Sequence, residues 1–119
     1  AYLSDWVASR ILEYERRRKI LDRTKEHLNK NLDMLCNWAG DVPELTIFRP
    51  QAAAITFAKL NLPIKSEKFV IDLRDKYSVL LTAGEWHGLD GYVRFGYGTP
   101  TEYVRSGLDR IKDFIKKIN

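Results

Sequence analysis

One cysteine, one methionine, two histidines and four prolines stand among 119 residues, and the scarcity closes off whole classes of chemistry. A lone Cys36 cannot form a disulfide within the chain, nor a CxxC metal or redox pair, and it suits a reducing compartment; a cytoplasmic setting is expected. His27 and His87 have no third ligand at metal-binding spacing, so no metal site is expected. No apolar run is long enough to span a bilayer and no basic-then-apolar leader opens the chain, so no membrane partner is expected. Charge of one sign is also lacking. The 20 Lys and Arg against 16 Asp and Glu leave +4, too small and dispersed an excess to signal nucleic acid by itself. The one basic block, Arg16-Arg17-Arg18-Lys19, carries no aromatic ladder and reads as a solvated stretch of helix.

What is present is enough apolar residue, 45%, for a single core in a single domain over 1–119. Apolar positions at Leu3, Val7, Ile11 and Tyr14, and again at Leu21, Leu28, Leu32 and Leu35, predict one long helix over 1–38, capped by Ser4 and stopped by Gly40-Asp41-Val42-Pro43. Such a helix extends about 50 Å, whereas a compact domain of this size has a radius of gyration of roughly 13–14 Å. The helix therefore overshoots its own body. Its first half, with Trp6, Val7, Ile11 and Tyr14, has an apolar face that nothing in the chain obviously covers, which points to a missing partner. The chain also begins with Ala1 rather than Met, as if at a cut edge of a larger protein.

Sheet and helices are expected over 45–119. Leu45 to Phe48 and Ile55 to Leu60 read as strands, with Ala52-Ala53-Ala54 small enough for a tight turn or a close approach. A helix capped by Ser66 follows, its buried stripe being Phe69, Val70, Leu73 and Tyr77. Ser78 to Ala83 reads as a strand, joined by a short loop to an antiparallel partner around Arg94. The last helix has Thr99, Pro100 and Glu102 arranged as a capping box and a face of Val104, Leu108, Ile111, Ile115 and Ile118. Three helices and a small mixed sheet suggest an α/β (α+β) two-layer sandwich with helices on one face and the other face uncovered. Alternation places Val93, Phe95 and Tyr97 toward the helices and Tyr92 and Arg94 on the open face. An arginine cannot be buried in such a strand without an anionic partner.

The run Val79-Leu80-Leu81-Thr82-Ala83-Gly84, a loop with His87-Gly88, and then Gly91-Tyr92-Val93-Arg94-Phe95-Gly96-Tyr97-Gly98 resembles the C-terminal small domain of class I/II, fold type I aminotransferases. Members commonly show a hydrophobic strand ending in Pro-Gly, an aromatic-Gly loop, and a strand of the form aromatic-aliphatic-Arg-aliphatic-Gly. Here Ala83 replaces the proline, His87 beside Trp86 stands for the loop aromatic, and the usual Pro-x-Gly-Gly turn reads Pro50-Gln51-Ala52-Ala53. The resemblance implies that Arg94 grips the substrate α-carboxylate, a task that suits a guanidinium fork on a rigid strand. It further implies amino-group transfer between an amino acid and a 2-oxo acid, a helix over 1–38 linking two domains, and a homodimer. Pyridoxal 5'-phosphate would be bound by a large domain of the same protein that this chain does not contain. With no Schiff-base lysine and no catalytic residue of its own, the chain alone is expected to be inactive.

Two other readings compete. A free-standing interaction module would use the open sheet face and the apolar half of the first helix. A nucleic-acid binder would use the basic block. Lys65, Lys68 and Lys76 read as solvated helix residues, and Cys36 as a small packing residue.

Overall fold

Helical spacing at both ends of the chain and alternation between them produce the element order seen in the computed structural model, which describes residues 2–118. Helix α1 covers Tyr2–Ile11 and α2 covers Tyr14–Gly40. Strands β1 (Leu45–Ile47) and β2 (Ile55–Leu60), helix α3 (Ser66–Tyr77), strands β3 (Thr82–Ala83) and β4 (Tyr92–Gly96), and helix α4 (Thr101–Ile118) follow. The strands form one sheet in the order β1-β2-β4-β3. The two-layer sandwich is as expected, but the sheet is not mixed: its three pairings are all antiparallel.

The core lies between the sheet and helices α2, α3 and α4. Ala58, Val93, Phe95 and Tyr97 point from the sheet into a layer made by Leu32, Leu35, Phe69, Leu73, Leu108 and Ile111. Phe114 packs on both Phe69 and Tyr77, with ring centroids 5.2 and 5.3 Å apart. Phe114 adds to the expected face of α4, of which Val104, Leu108, Ile111 and Ile115 are buried and Ile118 is half-buried.

The single helix expected over 1–38 is two helices. Glu13 is extended (φ −52°, ψ 135°) between them, and its carboxylate is shared by Arg10 at 3.1 Å and Arg16 at 3.5 Å. No glycine or proline marks the break, so local sequence conceals it. Residues 2–26 are exposed throughout, so no packing holds one straight helix across Leu12 and Glu13. Contact with the body starts only at His27 and Leu28. The overshoot is real: the radius of gyration is 17.1 Å and the longest extent 53 Å.

Caps differ from expectation at three helix starts. Ser4 lies inside α1 rather than before it. Helix α3 begins at Ser66 with Lys65 as its N-cap and no capping bond from that side chain. Helix α4 has no capping box: Pro100's carbonyl receives the N–H groups of Tyr103 and Val104, and exposed Glu102 pairs with Arg105. Beside that turn sits Asn31 of α2, fully buried. Its Nδ2 donates to the carbonyls of Tyr97 (2.8 Å) and Thr99 (2.9 Å), and its Oδ1 accepts from the Thr101 hydroxyl (2.8 Å). His27 Nε2 reaches the Thr99 carbonyl as well, at 3.0 Å. The strand expected over 78–83 is a ladder only at Thr82–Ala83. Residues 78–81 instead diverge from Phe95 and Gly96, opening a groove of about 520 Å³ against α4.

Candidate functional site

Period-2 alternation in β2 and β4 builds the open face. Val93 and Phe95 are buried while Tyr92 and Arg94 are half-buried on the opposite side. Register places Phe57 of β2 and Thr82 of β3 directly across from Arg94 on either side, so one row of the face reads Phe57, Arg94, Thr82. The next row contains Thr46, Lys59 and Tyr92. The uncovered face expected for Arg94 is therefore present.

Among the described residues, Arg94 has no ion-pair partner; its Nη1 lies 3.4 Å from His87 Nε2. A guanidinium only donates, so in this contact the imidazole Nε2 of His87 serves as the acceptor. The ring also meets Phe57 edge-on, centroids 5.7 Å apart at 78°. The loop carrying His87 is a 3₁₀ turn at Gly84–His87, and its start has space only for glycine. A Cβ on Gly84 would stand 2.1 Å from the Leu89 carbonyl oxygen and 2.6 Å from that of Tyr92. Leu89 N–H closes the loop on the Gly84 carbonyl at 2.8 Å.

The preceding residue types were legible in sequence; the anchorage was not. Glu85 accepts from the Ser66 hydroxyl, and Trp86 Nε1 donates to the Glu67 carboxylate at 3.4 Å. Burial pushes the Glu85 carboxyl up, but the Ser66 hydroxyl and the N–H groups of Glu85, Glu67 and Ser66 together outweigh it and hold the carboxyl below its usual range. His27, which carried no expected role, and Asn31 serve to fasten the end of β4 to α2. The turn at Pro50-Gln51-Ala52-Ala53 places Ala53 in the left-handed region, φ 75°. Its carbonyl accepts the Tyr97 hydroxyl at 2.9 Å, and Ala54 receives the Tyr97 N–H at 2.9 Å.

A family model described as aminotransferase class I and II matches residues 2–111. The chain belongs to the class I and II aminotransferase family. A PLP-dependent aminotransferase from Streptococcus suis superposes with a TM-score of 0.92 at 29% identity, over 98% of this chain and 31% of that one. An aromatic aminotransferase from Pyrococcus horikoshii gives 0.85 at 21% identity, over 92% and 30%. A probable aminotransferase, TAT1, from Arabidopsis thaliana is 21% identical over 106 residues, which are 84% of this chain and 24% of that protein. The chain spans about a quarter to a third of the length of these aminotransferases.

Pyridoxal phosphate is a cofactor of such neighbours, and the open face does not compose a site for it. The lysine of that face, Lys59, is exposed, and the face rows at β1, β2, β3 and β4 carry no carboxylate to meet a pyridine nitrogen. Lys68 and Lys76 are exposed and ion-paired with Asp72 at 2.8 and 3.5 Å, the solvated role expected of them. Cys36 packs against the core as a free thiol. Among the described residues no His, Cys, Asp or Glu group could hold a metal, and no helix is long and apolar enough to cross a membrane.

Proposed function

We propose that this chain is the C-terminal small domain of a pyridoxal-phosphate-dependent aminotransferase and that Arg94 holds the α-carboxylate of the amino acid and 2-oxo acid substrates. The observation that carries this reading is a guanidinium on an uncovered sheet face with no carboxylate partner among the described residues. A charge left without a counter-ion on a face it shares with Phe57, Tyr92, Thr82, Thr46 and Lys59 favours an anionic ligand, and a planar fork favours a carboxylate. The other half of the site, with the Schiff-base lysine and phosphate cup, belongs to a large domain of the same protein, so the chain alone is inactive. In the complete enzyme, Arg94→Lys raises KM about 10- to 100-fold for amino acid and 2-oxo acid alike, because a point charge replaces a bidentate fork, while cofactor absorbance is retained. Unchanged KM removes Arg94 from the site.

A second reading concerns α1. Tyr2, Leu3 and Trp6 are 85%, 72% and 51% exposed, a surface suited to the large domain or to a second copy in a homodimer. Sedimentation of the 119-residue chain tests the copy: a concentration-dependent dimer supports it, and a monomer across the concentration range opposes it. The basic block offers less to nucleic acid than its sequence suggests. Arg16 and Arg18 are ion-paired with Glu13 and Asp22 at 3.5 and 3.8 Å.

A further inference from the structure

An arginine on an open strand rotates about several bonds, and a ligand that needs a fixed guanidinium edge loses affinity for each orientation that must be frozen on binding. The contacts around Arg94 limit that freedom through a path that starts in α3. Lys65 provides no side-chain cap for α3; at that end of the helix the loop residue Glu85 accepts from the Ser66 hydroxyl, and the nearby N–H groups of Ser66 and Glu67 favour its charged form. Trp86 adds a bond to Glu67. The opposite end of the loop is closed tightly on Gly84. Between these two fixed points His87 is set against Phe57 with Nε2 directed at Arg94.

We propose that Glu85 and His87 are positioning residues for Arg94. By bonding to the start of α3 from the loop, Glu85 fixes the imidazole, which accepts one Nη1 hydrogen and leaves the rest of the guanidinium for a carboxylate. The carboxylate rests on the reading of Arg94 given above; the path from Glu85 to Arg94 is a property of the ligand-free chain.

The test is side-chain ¹⁵N NMR of the 119-residue chain, following rotation of the Arg94 guanidinium and its shift on titration with acetate. Rotation is hindered in the wild type, freed in His87→Phe, which keeps a ring on Phe57 but loses the acceptor, and hindered again in His87→Gln, whose amide oxygen accepts. Glu85→Ala frees Arg94 although His87 is intact; where that variant does not fold, Glu85→Gln, which keeps an acceptor for Ser66, shows a partial release. Acetate affinity at Arg94 falls about two- to tenfold in His87→Phe and Glu85→Ala, the worth of one hydrogen bond, and recovers in His87→Gln. Equal rotation and equal acetate affinity across these folded variants overturns the proposal. Acetate that never moves the wild-type Arg94 signal, while rotation still depends on Glu85, overturns the carboxylate role and leaves the positioning role standing.

Discussion

Asn31→Ala tests the junction that joins α2 to the end of β4 and the start of α4. The wild-type side chain is fully buried and makes three hydrogen bonds beyond its own helix, to Tyr97, Thr99 and Thr101. The Thr99 carbonyl keeps His27 as a donor, so its loss is partial. The buried Tyr97 carbonyl loses its Asn31 donor, at a cost of about 1–3 kcal/mol if water does not replace it, and each net bond lost adds about 0.5–1.5 kcal/mol. The sum is about 3 kcal/mol, a large share of the roughly 5–15 kcal/mol that holds a domain of this kind. Urea unfolding followed by circular dichroism should show a lower midpoint at an unchanged slope, and melting should fall by about 10 °C. Asn31→Asp sharpens the test, because a carboxylate would face two carbonyl oxygens. Its folded-state pKa is raised above the unfolded value, so the native state binds the extra proton. The variant is therefore least damaged below the unfolded value of about 3.9 and loses stability as pH rises through and above it. A cost under about 1 kcal/mol for Asn31→Ala, well short of a single lost bond with its orphaned partner, refutes the account, as does an Asn31→Asp variant as stable as wild type at pH 7.

Two further outcomes follow from particular backbone and charge geometry. Ala53→Gly should stabilise the chain by about 0.5–1 kcal/mol, since an L-residue at φ 75° is strained by more than the chain entropy that glycine adds back; a lower urea midpoint refutes it. Glu85 is held below its ordinary value of 4.5, so its contribution is fully present above that pH and disappears as pH falls through the depressed native value. Wild type and Glu85→Gln should accordingly converge in stability on acidification, and a gap that stays constant from pH 7 to strong acid opposes the assigned bonds.

Much of this protein is written in short-range periodicity. The alternation of Tyr92 to Tyr97 alone assigns Arg94 to the open face, and the spacing from Val104 to Ile115 alone gives α4 its buried stripe, because both patterns depend only on the geometry of a strand or a helix. The Arg94 block likewise carries family membership without reference to any fold. Tertiary structure decided the rest. Asn31 looks like one more polar residue on a charged helix until β4 and α4 bring three partners to it from about seventy residues away. Glu85 bonds to the start of a helix nineteen residues earlier, which no local capping pattern can signal, and the same packing sets His87 against Arg94. The break at Leu12–Glu13 falls where every residue is exposed, so no packed neighbour imposes the helix that its own residues favour, and β3 is short because only Thr82 and Ala83 pair with β4.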